Sequence, residues 1–352
     1  MSQRRTRAEM QEHNRARILA AARDEFAHRG FRDAKIDEIA ERAGLTRGAV
    51  YSNFPGKRAL YFAVLADLAE RASVPSQGAG QTAPEALGAF ARAWVGRLPL
   101  STEGPRIDTD LIPEILAEER TRQAFAQLMK LNAILLGLAL ERLDRGDRLV
   151  RVAEAALTTL HGATQMAAAA PGFSDPFDIV AVCERLALAV LDTDGGWPPA
   201  HLPWAPQARP VDEPWSPPPA VDVVRGETAP LTGDGVVAVL GLQRLEAVEE
   251  AVRAAPAGTW VTAVMVTADP GELGPLARLV IADVCTCLRQ AFPTAAWPRL
   301  RLIIDEPGTV AAAAGVPSVS DATEVSVRLR DARIIARAEG RGACHATAKP
   351  HS

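Results

Sequence analysis

Residues 35–54, KIDEIAERAGLTRGAVYSNF, constrain the fold of this chain more than any other stretch. Ile36, Ile39, Ala40 and Ala43 recur at helical spacing and mark one apolar face. Gly44 follows that face, where a residue able to adopt a left-handed backbone ends a helix. Leu45 points back toward a core, and Thr46 is a good N-cap because its hydroxyl accepts a bond from an otherwise unpaired backbone N–H. The helix it starts carries Arg47, Gly48, Ala49, Tyr51, Ser52 and Asn53, with Val50 and Phe54 as its apolar side. Two short helices around a tight turn, the second polar and burying few residues, suit insertion into a DNA major groove.

The flanks extend this pattern. ARILAAARDEFAHRGF lies upstream at 16–31 and PGKRALYFAVL downstream at 55–65. Ile18, Leu19, Ala21, Ala22, Phe26, Gly30, Ile39, Ala40, Ala43, Gly44, Gly48, Tyr51, Phe54 and Lys57 fall at the spacings of the TetR family of bacterial regulators, which residues 12 to about 72 resemble. One departure is Ala34-Lys35, where the family usually has Thr or Ser. Asp33 is expected to replace that cap, and Lys35 to meet a phosphate. The resemblance implies a homodimer on a double-stranded operator, with an all-helical domain behind the head that binds a small, mostly apolar effector and releases the DNA.

At 352 residues the chain is too long for one average domain. Charge is unevenly spread. Residues 1–60 carry thirteen Lys and Arg against eight Asp and Glu, a net of +5, so with −4 overall the remainder carries −9. A basic head on an acidic body fits a protein that presents one end to a polyanion. No apolar run reads as long and charge-free enough to span a bilayer. MSQRRTRAEM has arginines but no apolar core, so no secretory signal is expected. Cys183, Cys285, Cys287 and Cys344 form no dense framework, and a reducing cytoplasm is the expected compartment.

Along the chain, 1–56 reads as the DNA-binding domain, preceded by an arm whose Arg4, Arg5 and Arg7 are within reach of phosphates or remain a frayed tail. The linking helix runs from near Gly56 to about Arg71, with Leu60, Val64 and Leu68 on one face. Helical stretches at 84–98, 109–119, 121–144, 148–169 and 176–193 make 57–195 an all-helical domain. The resemblance implies that 148–169 and 176–193 pair with a second subunit. Ala155, Ala156, Ala163, Ala167 and Ala168 permit close helix approach, and Ile179, Val182, Leu186, Ala189 and Val190 form a stripe. Residues 196–234 are proline-rich and read as an extended linker. Trp197, Trp204 and Trp215 are expected to strap it onto the helical domain. From 235 to 345 strands and helices alternate: strands at 236–242, 259–267, 299–305, 323–330 and 332–340, helices at 243–255, 273–292 and 309–315. That order, closed by a hairpin at Asp331, resembles a thioredoxin-like domain. The expected fold is therefore mainly α, a TetR-like three-helix head and helical domain followed by an α/β domain.

The DNA-contacting candidates are Lys35, Thr46, Arg47, Gly48, Tyr51, Ser52, Asn53 and Lys57. Arg47 suits a guanine edge and Asn53 an adenine edge. Tyr51 and Lys57 sit where the resemblance places phosphate contacts, the plainer alternative being a packed Tyr51 and a solvated Lys57. Phe90, Trp94, Phe125, Met129, Asn132, His161, Gln165 and Met166 offer an apolar wall with a few polar anchors for an effector, or ordinary core. The α/β part has no CxxC: TADPGELGPL, after its second strand, lacks cysteine, and Cys285-Thr286-Cys287 lies inside a helix. Cys285, Cys287, Cys344 and His345 match no standard metal spacing. With no phosphate loop, HExxH or GxSxG, no enzyme, cofactor or catalytic residue is expected. The rival reading is a redox- or metal-responsive sensor or enzyme, with its chemistry in the α/β part.

Overall fold

A computed structural model describes residues 7–72, 78–98, 107–144, 148–188 and 206–350. Helix α1 (Arg7–Asp33) contains a non-helical Gly30 at φ +71°. α2 (Ile36–Arg42), α3 (Arg47–Asn53) and α4 (Lys57–Arg71) follow. α5 (Ala83–Val95) opens on a complete capping box between Thr82 and Glu85. The expected 109–119 helix is a 3₁₀ turn at Ile107–Asp110 running into α6 (Leu111–Leu116). α7 (Glu119–Leu143), α8 (Val150–Ala169) and α9 (Pro176–Leu186) complete the helical part. A Cβ at Gly137 of α7 would meet the Val150 backbone at 2.5 Å, so only glycine lets α7 and the start of α8 approach this closely.

By length and composition α7 is apolar enough to cross a membrane, which corrects the expectation that no such run exists. Two thirds of its apolar window is buried inside the protein. It is a core helix, and its composition reflects being covered on most sides.

The remainder is a six-stranded mixed sheet. Its strands are β1 (Arg209–Pro214), β4 (Gly235–Gly241), β5 (Val261–Val266), β6 (Leu300–Ile304), β7 (Glu324–Arg330) and β8 (Arg333–Glu339), in the order β1-β8-β7-β4-β5-β6. β2 (Val221–Asp222) and β3 (Glu227–Thr228) form a separate small ribbon. β4, β5 and β6 are parallel, and β7, β8 and β1 are antiparallel to their neighbours. The hairpin between β7 and β8 turns on Asp331 and Ala332, both at positive φ, the geometry of the two-residue turn that matches strand twist. Helices α10 (Ala247–Ala254), α11 (Leu273–Ala291), α12 (Thr309–Ala313) and α13 (Ala343–Ala348) accompany the sheet. The element order from β4 onward is the one read from the sequence, with α13 added at its end.

Two of the sequence expectations fail here. Residues 209–214, expected within a linker, pair with β8 along the sheet edge. An edge strand tolerates proline, since one side of it needs no donor, and this makes such a strand hard to tell from a linker. Trp215 does not strap onto the helical domain. It is buried on the sheet face that also carries Val237, Val239, Val264 and Ile303, and its Nε1 donates to the Leu231 carbonyl at 2.7 Å. Arg4, Arg5, Ala189, Val190, Trp197 and Trp204 lie outside the described residues.

The other sheet face closes a larger core. Val236, Ala238, Leu240, Val261 and Ala263 share one continuous apolar cluster with α11 and with residues of α1 through α9. α11 packs against α4, α5 and α7 as well as β6. The α/β part is therefore not a separate bead: one of its helices is built into the middle of the helical part.

Candidate nucleic-acid interface

The head is assembled from short-range bonds. Gly44 takes φ +61°, which turns the chain between α2 and α3. The Gly44 and Leu45 N–H groups donate to the Glu41 and Ala40 carbonyls, both at 2.9 Å, and close the end of α2. Thr46 is extended, and its Oγ1 accepts from the Ala49 N–H at 3.2 Å. Val50 and Phe54, each 1% exposed, pin α3 to the core of the head. Asp33 does not supply the cap expected of it. It ends α1, and α2 begins after Lys35 without a side-chain cap.

This pinning leaves Thr46, Arg47, Gly48, Tyr51 and Ser52 on the outer side of the head, with Lys35 exposed at the start of α2. The Arg47 guanidinium lies over the Tyr51 ring, 5.5 Å from its centroid, and 3.5 Å from an exposed Asp37 carboxylate. Both partners are solvent-facing and exchangeable, so Arg47 is free to reach a base edge. The Ser52 hydroxyl donates back to the Ala49 carbonyl at 2.9 Å. Asn53 is half-buried. Its amide nitrogen donates to the same carbonyl at 2.8 Å, which turns it toward its own helix. Lys57 leans the same way: Nζ donates to the Arg32 carbonyl at 2.9 Å and sits 4.8 Å from the Phe31 ring centroid. Partial burial lowers its pKa.

Arg15 and Arg17, on α1, have no place among the sequence candidates. Arg15 covers the Phe54 ring at 4.5 Å and donates to the Asn53 carbonyl at 3.4 Å. Arg17 donates to the Gly44 carbonyl at 3.4 Å. Both brace the turn and the end of α3 from outside. Their signal in the sequence is a pair of cations just before the apolar Ile18-Leu19, indistinguishable there from a solvated face.

The effector candidates divide. Phe90, Trp94, Phe125 and His161 come together: the Trp94 ring stacks on Phe90 at 6.2 Å and meets His161 at 4.8 Å, and Phe125 meets His161 edge-on at 6.5 Å. Trp94 Nε1 donates to Thr164 Oγ1 at 3.1 Å. Burial lowers the His161 pKa. Met129 is half-buried on the neighbouring helix, and Gln165 and Met166 are exposed. Asn132 faces α11, donating to the Val280 carbonyl at 2.9 Å, while its Oδ1 is buried without a hydrogen-bond partner among the described residues. Two open cavities lie elsewhere. One, of about 360 Å³, is lined by Leu138, Arg142, Val252 and Arg299. The other, of about 420 Å³, is lined by Glu70, Val221, Arg278 and Glu306.

All four cysteines are unpaired and buried. Burial pushes the Cys183 and Cys287 thiols up to about 11, Cys285 to about 12, and Cys344 well above its usual value. A reactive thiol needs the opposite shift and some exposure.

Residues 18–64 match the family described as bacterial regulatory proteins, tetR family. Over 63 residues the chain is 51% identical to the HTH-type transcriptional regulator SrpR of Pseudomonas putida, covering 18% of this chain and 29% of that protein. It is also 51% identical over 63 residues to the uncharacterized HTH-type transcriptional regulator TtgW of Pseudomonas putida, covering 18% of this chain and 46% of that protein. The match therefore spans less than half the length of either relative. A TetR transcriptional regulator from Rhodococcus sp. RHA1 aligns over 51% of this chain and 95% of its own, at 19% identity and a TM-score of 0.34. Residues 18–64, which run from within α1 into α4, thus match the tetR family of bacterial regulatory proteins and are similar in sequence to the heads of HTH-type regulators.

Proposed function

We propose that this chain is a sequence-specific, DNA-binding transcriptional regulator that acts as a homodimer and is released from its operator by a small, mostly apolar ligand. The observation that carries this reading is α3. Val50 and Phe54 fix it from behind, while Arg47, Tyr51 and Ser52 stand exposed on its free side. Arg47 reads a base edge, and Tyr51, Ser52, Thr46, Gly48, Lys35 and Lys57 meet the backbone. Dimerisation runs through α8 and α9. Phe177 (81% exposed), Val182 and Leu188 form an apolar surface there that lacks a cover among the described residues of one chain. The effector enters beside Phe90, Trp94, Phe125 and His161, with Met129, Asn132, Gln165 and Met166 around them. By linkage, the ligand and the operator weaken each other equally. The protein resides in the cytoplasm and is not an enzyme. The α/β part is thioredoxin-like in the order of its elements, and a redox or metal-sensing role for that part is disfavoured by the buried, raised thiols.

Selection of duplexes from a random-sequence library by the full chain, at two salt concentrations, tests this. The expected outcome is a near-palindrome with half-sites about one helical turn apart, and an affinity that falls steeply with salt. Binding without any enriched sequence would refute it.

A further inference from the structure

The head joins the rest of the chain through Pro55 and Gly56 into the first turn of α4, so whatever holds that turn sets where the head points. Arg58, the second residue of α4, is 16% exposed and held between two carboxylates. Its Nη2 lies 2.7 Å from Glu118, at the start of α7, and 2.6 Å from Glu272, at the start of α11. Its Nε donates to the same Glu272 oxygen at 2.9 Å. The loop before α11 also touches the head directly: a Cβ on Gly271 would stand 3.0 Å from the Pro55 ring. At the far end of α4, Glu70 pairs at 3.0 Å with Arg278 of α11. Between these pairs α4 is buried nearly all round, from Ala59 to Ala66 and at Ala69, with α11 packed along it.

We propose that the α/β part is a second support for the DNA head, and that Arg58 is the positioning residue through which its docking is read. With Arg58 seated between Glu118 and Glu272, both halves of the protein grip the same turn, and the head is held in one orientation. The docked arrangement leaves Arg47, Tyr51 and Ser52 uncovered, so the orientation it fixes is open to DNA. A held head reaches two half-sites without being ordered at the moment of binding. Loosening the grip therefore weakens operator binding. This inference rests on the DNA-binding reading above.

The test uses the full-length chain with Glu272→Gln, Arg58→Gln and the double variant. The remote exposed pair Arg333–Asp212 serves as control through Arg333→Gln. The DNA probe is the duplex that the wild-type chain enriches from a random library. Each single variant should lose about fivefold in affinity, the low end of common coupling factors. The double variant should lose no more than the worse single, because both residues serve one contact. The charge-swapped pair Arg58→Glu with Glu272→Arg should regain part of the loss. Hydrogen exchange of free protein should quicken in α3 and the first turn of α4 for the Glu272 variant and not for the control. Unchanged or tighter binding, or additive losses, would overturn the proposal. If no duplex is enriched, the DNA-binding reading fails, and unchanged exchange in α3 would then separately refute the support role.

Discussion

Arg47 and Asn53 sit on the same short helix and differ in what holds them. Arg47 has an exposed carboxylate and an exposed ring as partners, whereas Asn53 spends its amide on the Ala49 carbonyl. Arg47→Ala is therefore expected to change which base is preferred at one position, at about 1–3 kcal/mol of discrimination. Asn53→Ala is expected to leave the preferred sequence nearly intact. Tyr51→Phe and Lys57→Ala should weaken all sequences alike. Comparison of the motifs selected by each variant decides between these outcomes. The exposure of Arg47 and Tyr51 was legible from spacing, because Val50 and Phe54 define the buried side. The inward turn of Lys57 was not, since it depends on where α1 ends and on Phe31 being near. The cysteines make a second residue-scale prediction. With every thiol buried and its pKa raised, a disulfide-exchange reagent at about pH 8 should label none of the four at an appreciable rate in native protein, and all four after unfolding. Fast labelling of any one in the native state would revive the redox reading.

At the scale of elements, α4 and α11 show what sequence patterning conveys and what it leaves out. ALYFAVLA, residues 59–66, is apolar on every side, the mark of a helix with no solvent face. The single face expected for the whole helix, Leu60, Val64 and Leu68, misses this: Leu68 is exposed while Tyr61 and Phe62 are fully buried. The missing cover is α11, more than two hundred residues away, and periodicity carries no information about so distant a partner. The same holds for β1, whose strand character comes from pairing with β8 and not from its own RPVDEP. A chain cut after residue 195 would thus lose the helix that packs on α4, α5 and α7. Large apolar side chains are worth about 1.5–3 kcal/mol each when buried. Uncovering about four of them removes an amount comparable to a domain's whole stability of about 5–15 kcal/mol. The truncated chain is expected to aggregate or to lack a cooperative thermal transition. A sharp, reversible melt of residues 1–195 would show that the helical part stands alone after all.

At the scale of the whole molecule, the net +5 of residues 1–60 and the acidic remainder describe one end that attracts a polyanion and a body that does not. A single head buries little of the groove, and strong binding needs two heads on one rigid body. Two linked binding events exceed either alone by about 10²–10⁴-fold, and the gain vanishes when the link is cut. The surface available for that link is on α9 and its approach: Phe173 is 73% exposed, Phe177 81%, and Leu188 69%. These side chains belong to elements that make no part of the head, so a substitution there leaves α3 untouched. Phe177→Glu places a charge where a partner helix would bury an aromatic ring. Sedimentation should show a monomer, and affinity for a two-half-site duplex should fall by about a hundredfold or more. Affinity for a single half-site should stay unchanged, because each head keeps its own contacts. If the variant remains a dimer, the two subunits meet on another face, and the exposed rings of α9 belong to a different interaction.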